Sequence, residues 1–443
     1  MASTYLTRTP SSEGNRKKWT WSAWIKRSKL GSEEFVFYSR ESTDNDTRFY
    51  FQDDTFRFQN TVSNTTNTRL FTNRVFRDTS AWYHIVISYD STVATPDTNS
   101  IQMFVNGQKE TSFSATIYPS QNQDTFVNDD ALHTIGRRSD NASNYFDGQM
   151  AHVHLIDGTA YDADTFGETD ATTGIWKPKT APSVTYGTNG FFLKFENSGA
   201  FGTDSSGNGN NFTVNGTMTQ TIDTPSNVFA TLNALQPISS ISYSNGNLTF
   251  TNSSSNHRMV NSTLAVSSGK YYAEVKASTL GGNYPQIGII DPDKFDNDDY
   301  LGSADGGYAY LSNGNKQYNN SATSFGNTYT TGDIIGIAVD LDNHKLYFAK
   351  NGTWQNSGDP TSGATGTGSA YDLVTNVSYS FAQSSSDGGT DPVYNWNFGN
   401  GYFGTTAVSS AENPDDGIGI FEYAVPTGYK ALCTKSINAQ EYD

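Results

Sequence analysis

The sequence predicts an all-β chain that folds as two tandem antiparallel β-sandwich domains. Apolar and polar side chains alternate along most of the chain, which is the pattern of strands with one buried face, and helical periodicity is almost absent. Ser, Thr, Asn and Gly are abundant, as expected for short strands joined by polar turns. The chain has 443 residues, and because about 100–200 residues per domain is usual, this length suits two domains.

The composition narrows the classes of partner. Aromatic residues make up 14% of the chain against 16% charged residues, and since disordered chains are poor in aromatics, we expect ordered domains. The net charge of −17 repels phosphate backbones, so nucleic acid is not an expected partner. Cys433 is the single cysteine, which rules out an intrachain disulfide. Neither a secretory signal pattern nor an apolar stretch of about 20 residues is present, so we expect no membrane insertion.

Aromatic alternation marks the strands of the first half. Trp19–Ile25 is predicted to be a strand with aromatic residues on its buried side. In Trp82–Tyr89 every odd-numbered residue is aromatic or aliphatic, which is the period of a half-buried strand. Ile101–Val105 runs into Asn106-Gly107, a pair that predicts a hairpin because both residues accept positive φ.

The clearest hairpin of the second half is Ile334–Lys350. Its first strand places Ile335, Ile337, Val339 and Leu341 on one face and Gly336, Ala338 and Asp340 on the other. Asp342-Asn343 makes the reversal, and Asn351-Gly352 starts the next turn. We expect the aliphatic face to be buried in a core.

The chain divides into four predicted regions. Residues 1–185 form the first sandwich, 186–239 hold closing strands and an interdomain linker, 240–432 form the second sandwich with an inserted loop near 400–420, and 433–443 are a C-terminal tail. The linker assignment rests on the Pro- and Ser-punctuated stretch Thr224–Ser240. Residues 186–220 either complete the first sandwich or begin the second module.

Patterns in the first half resemble the laminin-G-like jelly roll of the concanavalin A-like lectin/glucanase superfamily. They are the Trp-rich strand Trp19–Ile25, the strand Trp82–Asp90, the hairpin Ile101–Gly107 and the segment Phe146–Val153, in that order. The resemblance spans roughly residues 15–160. It implies a jelly-roll, concanavalin-like sandwich of a kind that usually binds glycans or proteins.

The second half resembles a SPRY domain over about residues 240–400. The matching segments are Ser268–Val275, Ile287–Ile289 and Gly332–Gly352. This resemblance implies a second sandwich, from a family that usually binds proteins.

The tail resembles the closing segment of SPRY-bearing virion proteins of marine phages. Asn397–Gly399, Phe421–Tyr423 and Pro426–Thr434 carry this resemblance, and Thr224–Asn233 resembles the interdomain segment of the same group. The residues between Gly399 and Phe421 depart from the compact form of that group. The resemblance implies a protein assembled in a host cytoplasm and located on the virion surface.

Because concanavalin-type sandwiches include glycosidases, the spacing of the acidic residues bears on whether the chain is an enzyme. Retaining members carry two of them on one strand, in a Glu-x-Asp-x-x-Glu spacing that puts them about 5 Å apart. The nearest match, Glu168-Thr-Asp170, lacks the second Glu, and the adjacent Glu33 and Glu34 point to opposite sides of a strand. The sequence therefore predicts no enzymatic activity and no catalytic residue.

No cofactor is expected, although two loops are dense in the oxygen ligands that Ca²⁺ prefers. The candidate ligands are Asp204 and Asn208 in the first loop and Asp291 and Asp293 in the second. The alternative is a solvated acidic loop in each case, since residues 291–299 lack the glycine and terminal Glu of a helix–loop–helix calcium loop. His152 and His154 are either part of a metal site with a third ligand or two half-exposed histidines on an outer sheet.

The candidate ligand-binding residues are four tyrosines in a Gly/Asn-rich stretch of the second domain, Tyr300, Tyr308, Tyr310 and Tyr318. Tyr and Asn on loops supply apolar area and adaptable hydrogen bonds at low entropic cost. The alternative is that half or more of these tyrosines pack in a core or at a sheet edge.

Together these features predict a non-catalytic binding protein of a bacteriophage particle. We expect a fibre or adhesin in which one module meets a host surface glycan or protein while the other anchors the chain. Other virion proteins and further copies of the chain, in a homo-oligomer, are the expected partners. The alternative is a structural capsid decoration or head-fibre protein without receptor specificity.

Overall fold

The computed structural model describes residues 4–140, 143–235 and 238–442, and the chain divides into two compact units, Met1–Gln220 and Thr221–Asp443. Both units are built of antiparallel sheets, which confirms the predicted all-β fold of two tandem sandwiches. The described residues contain one α-helix, α1 (Thr434–Tyr442). No helix in that part of the chain has the length and apolar character that a membrane crossing requires.

The strands of the first unit are β1 (Tyr5–Arg8), β2 (Lys18–Arg27), β3 (Glu34–Ser42), β4 (Asn45–Gln52), β5 (Thr55–Val62), β6 (Thr65–Val75), β7 (Trp82–Asp90), β8 (Ile101–Val105), β9 (Gln108–Lys109), β10 (Phe113–Ile117), β11 (Leu132–Ile135), β12 (Gly148–Asp157), β13 (Gly167–Thr169), β14 (Trp176–Pro178), β15 (Phe191–Leu193) and β16 (Thr213–Asn215). An eight-stranded sheet, the large sheet, has the order β10-β6-β5-β4-β3-β11-β1-β16. A six-stranded sheet, the small sheet, has the order β15-β12-β2-β7-β8-β9. Strands β15 and β16 pair with β12 and β1, so residues 186–220 complete this sandwich.

The core of the first unit is largely aromatic. Trp19 and Trp21 point inward from β2 and contact Phe49 of the large sheet, with ring centroids 5.8 and 5.0 Å apart. Trp24 points the other way and is also buried; it stacks on His84, whose Nδ1 accepts a hydrogen bond from Trp176 Nε1. Asn106 and Gly107 adopt φ values of 49° and 79°, which confirms the predicted hairpin between β8 and β9.

The strands of the second unit are β17 (Ile241–Ser244), β18 (Thr249–Asn252), β19 (Arg258–Asn261), β20 (Lys270–Thr279), β21 (Gly282–Ile290), β22 (Gly307–Leu311), β23 (Asn315–Tyr318), β24 (Ser321–Ser324), β25 (Ile334–Asp340), β26 (Lys345–Lys350), β27 (Thr353–Trp354), β28 (Tyr371–Asp372), β29 (Ser380–Ser386), β30 (Val393–Asn397), β31 (Tyr402–Phe403), β32 (Thr406–Ala407) and β33 (Lys430–Ala431). A nine-stranded sheet follows the path β17-β18-β30-β20-β25-β26-β27, with β28 added to β26 and β33 to β20. A six-stranded sheet has the order β19-β29-β21-β22-β23-β24.

Strands β25 and β26 form the predicted hairpin, with Val339 opposite Leu346. The aliphatic face of β25 is buried in the core between the two sheets, as expected. The opposite face is buried too, because Ala338 belongs to an apolar cluster with Phe421 and Tyr429 of residues 421–433, called the C-terminal segment below. The interior of this unit therefore has a second apolar layer beyond the sandwich core.

The buried carboxylate of Glu274 holds that C-terminal segment on the nine-stranded sheet. It accepts hydrogen bonds from the backbone N–H groups of Glu422 and Tyr423, both at 2.9 Å, and from the side chains of Tyr272 and Asn397. Burial raises the pKa of Glu274 to about 7. Glu422 and Tyr423, which directly follow the residues that depart from the compact form of the resembled proteins, are thus fixed to the sheet by hydrogen bonds to a buried side chain.

Loops cover three of the four outer sheet faces. Phe166 and Trp176 cover the small sheet of the first unit, Phe421 and Tyr429 cover the nine-stranded sheet, and Leu301 covers the six-stranded sheet of the second unit. On the outer face of the large sheet, the apolar cluster consists of Phe35, Tyr38 and Tyr50, which all belong to the sheet itself. Within the described residues, this face is the one without an apolar cluster contributed by a loop.

Candidate functional site

The four candidate tyrosines of the second unit occupy two kinds of position. Tyr308 and Tyr310 lie on β22, are 3% and 0% exposed, and belong to the core. Tyr318 is half-buried and stacks on Tyr308, with ring centroids 4.7 Å apart. Tyr300 lies in a loop, where its hydroxyl donates to Asn320 Oδ1 at 2.8 Å. The structure thus leaves Tyr300 and part of Tyr318 accessible to a ligand, while Tyr308 and Tyr310 stabilise the sandwich.

Asp204 and Asn208 organise their own loop. The Asp204 carboxylate accepts four hydrogen bonds of 2.8 Å, from the backbone N–H groups of Phe192, Ser206 and Asn210 and from the Ser206 hydroxyl. The Asn208 amide donates to the carbonyl oxygens of Gly187 and Gly190, at 2.7 and 3.0 Å. These hydrogen bonds account for the shape of the loop.

Asp291 and Asp293 begin a short turn, in which Asp291 Oδ1 accepts a hydrogen bond of 3.0 Å from the Asp293 N–H. In the described part of the chain, the carboxylates that converge are instead Glu13, Asp129 and Asp130, whose oxygens lie within 4.8 Å of one another. Arg16 Nη1 lies 3.2 Å from both Glu13 Oε1 and Asp129 Oδ1. A guanidinium therefore already pairs with two of these three carboxylates.

The histidine pair predicted on one strand face is interrupted by a bulge in β12. The pairing with β2 shifts between Ala151 and His154, and His152 adopts a φ of 48°. The expectation of two half-exposed rings is wrong for His154, which is 1% exposed and stacks on Phe192 at 3.9 Å. His154 Nδ1 lies 3.0 Å from the Tyr186 hydroxyl, and burial holds the pKa of His154 well below its usual range. This neutral ring is part of the packing beneath the loop that covers the small sheet.

The nearest match to a glycosidase motif lies on the hairpin β13–β14, outside both sheets of the sandwich. Lys177 Nζ approaches both carboxylates, at 3.8 Å from Glu168 Oε1 and 2.8 Å from Asp170 Oδ2. Asp170 also accepts hydrogen bonds from the backbone of Thr172 and Thr173. These contacts are those of a turn stabilised by an ion pair.

The outer face of the large sheet carries a different set of polar and aromatic side chains. Two rows cross strands β4, β5 and β6, one made of Arg48, Gln59 and Arg69 and the other of Tyr50, Arg57 and Phe71. Residues directly opposite each other on antiparallel strands share a face, at about 4.5–5.5 Å. These six residues are called the arginine–aromatic face below. All of them except Tyr50 are partly exposed.

Phe71 is the centre of this face. The guanidinium carbons of Arg57 and Arg69 lie 5.0 and 5.6 Å from the centre of its ring, within the range of cation–π attraction. Tyr50 meets the same ring edge-on, with centroids 6.4 Å apart, and stacks on Phe35 at 5.1 Å. These contacts hold the ring and both guanidinium groups in a defined arrangement on the sheet.

The arginines of the face differ in their partners. Arg48 donates to both oxygens of Asp46, with distances of 2.7–3.0 Å. Arg57 Nη2 lies 2.8 Å from Asp53 Oδ2. Among the described residues, Arg69 makes neither a hydrogen bond nor an ion pair, and its Nε is buried without a partner. One strong donor group of the face is thus unused.

The face continues along the sheet toward β11. Arg138 lies over Phe35 at 5.8 Å, and Arg137 lies over Tyr5 and Tyr145 at 3.8 and 5.7 Å. Eleven of the twelve arginines of the chain lie in residues 1–220, the exception being Arg258. Planar cationic groups are therefore concentrated in the first unit.

Sequence reasoning missed this face, although a signal was present. Each of the three strands contributes an arginine followed two residues later by a polar or aromatic side chain, namely Arg48 with Tyr50, Arg57 with Gln59 and Arg69 with Phe71. Such a spacing places both members of a pair on the same side of a strand. The repetition in three successive strands is what aligns the pairs into rows.

Comparison with known proteins identifies both modules. Residues 2–165 match the model of the Concanavalin A-like lectin/glucanases superfamily, and residues 270–381 match the SPRY domain. The chain therefore contains a concanavalin-like and a SPRY module, in the predicted order.

Two solved structures illustrate the likeness. The SPRY domain of human HERC1 is 17% identical, with 37% of this chain and 92% of that one covered and a TM-score of 0.29. A heptameric SAP-like pentraxin from Limulus polyphemus is 14% identical, with 36% and 71% covered and a TM-score of 0.26. The module assignment rests on the family matches.

Proposed function

We propose that this chain is a non-catalytic binding protein on the surface of a bacteriophage particle, a fibre or adhesin that recognises a glycan of the host surface. The arginine–aromatic face is the observation that carries the binding role. It combines a partly exposed aromatic ring, an amide and guanidinium groups on the outer face of the large sheet, while the other outer face of the same sandwich carries a loop-borne apolar cluster. A concanavalin-like module is a frequent scaffold for such recognition.

The particle location is supported by the resemblance of Asn397–Gly399 and Pro426–Thr434 to the closing segment of SPRY-bearing virion proteins. Under this proposal the other partners are further virion proteins and copies of the same chain, and assembly takes place in the host cytoplasm. The non-catalytic role is supported by Glu168 and Asp170, which both lie beside Lys177 on a small hairpin.

A glycan-binding experiment tests the proposal. The purified chain is applied to an array of bacterial capsular polysaccharides and O-antigens, together with Phe71→Ala and Val214→Ala. Val214 is a matched control, because it is an exposed apolar residue (37%) on β16, at the opposite edge of the same sheet. We expect the chain and Val214→Ala to bind one or more polysaccharides, and Phe71→Ala to lose that binding.

Immunogold labelling of phage particles that contain the chain tests its location. We expect label at sites that contact the host cell. Dense label over the capsid, together with no binding on the array, would support the decoration role instead. An absence of label from intact particles would contradict the virion proposal.

A further inference from the structure

We infer that the ligand of the arginine–aromatic face is an acidic glycan, whose carboxylate or sulfate group is bound by Arg69. This inference rests on the proposed function and adds the chemical class of the ligand. In this inference two residues of β6 have different roles: Phe71 contacts the sugar ring, and Arg69 binds its acidic group.

The side chain of Arg69 has unused hydrogen-bonding capacity. A guanidinium has five N–H donors in a planar fork that matches carboxylate and sulfate-like oxygens. Arg48 and Arg57, the other two arginines of the face, already bind the carboxylates of Asp46 and Asp53. Arg69 has no such partner in the described residues, and its buried Nε lacks an acceptor. The terminal Nη groups of the partly exposed Arg69 side chain are therefore free to donate to an anion that approaches from solvent.

The charge around Phe71 is locally positive. Arg57 and Arg69 lie against one ring, at 5.0 and 5.6 Å, so two like charges are held close together. Asp53 balances one of them through its contact with Arg57. A second anion beside Arg69 would balance the other. The attraction of both guanidinium groups to the ring keeps Arg69 in place before the ligand arrives.

The net charge of the chain disfavours polyanions of high charge density. The chain carries a net charge of −17, which repels a continuous row of phosphates. A polysaccharide with isolated acidic groups presents each of them to the local positive patch and its neutral sugar rings to the rest of the face. A glycan with spaced carboxylates or sulfates is therefore compatible both with the positive charge around Phe71 and with the net negative charge of the chain.

The experiment starts from the polysaccharides that the chain binds on the array described above. Each is compared with its carboxyl-reduced or desulfated form, which retains the backbone and loses the charge. Binding is measured for the chain, Arg69→Gln, Arg69→Lys and Arg74→Gln. Arg74 is the matched control, because it lies at the end of the same strand and is ion-paired with Glu110 at 2.7 Å.

We expect the bound polysaccharides to be acidic and neutralisation to weaken binding by about tenfold or more, as loss of a charged hydrogen bond implies. Arg69→Gln should cause a similar loss, Arg69→Lys a smaller one because it keeps the charge without the fork, and Arg74→Gln none. Affinity should also fall as NaCl is raised. Unchanged melting of the first unit in each variant verifies the fold.

The two proposals fail in different ways. Binding that depends on Phe71 but survives neutralisation and Arg69→Gln would overturn the acidic-glycan inference and leave the proposed function standing. Binding that is independent of both Phe71 and Arg69, or no binding to any polysaccharide on the array, would overturn the proposed function together with the inference.

Discussion

Replacing Val339 by Asp should unfold the second unit and leave the first unit folded. Val339 is 1% exposed, and in the sheet it lies opposite Tyr271 of β20 and Leu346 of β26, which are 2% and 0% exposed. The new carboxyl would therefore be placed inside an apolar layer. Either it stays ionised without solvation, or it takes up a proton and keeps an unsatisfied polar group.

The cost can be worked out from these two contributions. Losing the burial of the valine side chain costs about 1.5–3 kcal/mol. A buried carboxyl without a hydrogen-bonding partner adds about 1–3 kcal/mol even when it is protonated. The sum, roughly 2.5–6 kcal/mol, is a large part of the about 5–15 kcal/mol that stabilises a domain.

Calorimetry of the full chain separates the two units. We expect the transition of the second unit to disappear or to fall strongly in Val339→Asp, while that of the first unit is unchanged. Ala338→Asp should be nearly as harmful, because the C-terminal segment covers that face. Asp342→Ala is the control: Asp342 is exposed and accepts one hydrogen bond from the Gly269 N–H, so its loss should cost about 0.5–1 kcal/mol. Equal and small shifts in Val339→Asp and Asp342→Ala would refute the placement of this hairpin in the core.

Four further outcomes are expected. The pKa of Glu274 is raised by burial to about 7, so the contribution of this group to stability is fully present below about pH 4.5 and is lost as the pH rises through 7. The melting temperature of the second unit should therefore fall between about pH 4.5 and about pH 7. The same fall in Glu274→Gln would contradict this assignment. Gly167→Ala should lower the melting temperature of the first unit, because the added Cβ would lie 2.4 Å from the Trp176 ring; unchanged melting would show that the ring can move at little cost. EDTA should leave both transitions in place, because the Asp204 carboxylate already has four donors; a calcium-dependent shift that Asp204→Asn removes would contradict this. Incubation with β-glucans and bacterial polysaccharides should release no reducing ends, and release that depends on Glu168 would overturn the non-catalytic proposal.

The fold could be predicted because its evidence is local in the sequence. The alternation in β7 and β25 and the Asn-Gly turn after β8 each lie within ten residues, and each gave the correct element. The covering layers could not be predicted in the same way. Ala338 is buried by Phe421 and Tyr429, more than 80 residues further along the chain, and nothing near Ala338 indicates that contact.

Site prediction was weakest where it relied on composition alone. Tyr308 and Tyr310 lie in a Gly/Asn-rich stretch that is typical of binding loops, but their i, i+2 spacing places both on one face of β22, and that face is the core. The same spacing describes Arg69 and Phe71, which lie on the outer face of β6. The spacing alone gives a shared face, while the side of the sheet is set by neighbouring residues such as Leu70, which takes the core position between Arg69 and Phe71. The residue between the two members of each pair separates the two cases: Phe49, Phe58 and Leu70 are large core residues, whereas Ala309, between Tyr308 and Tyr310, is small.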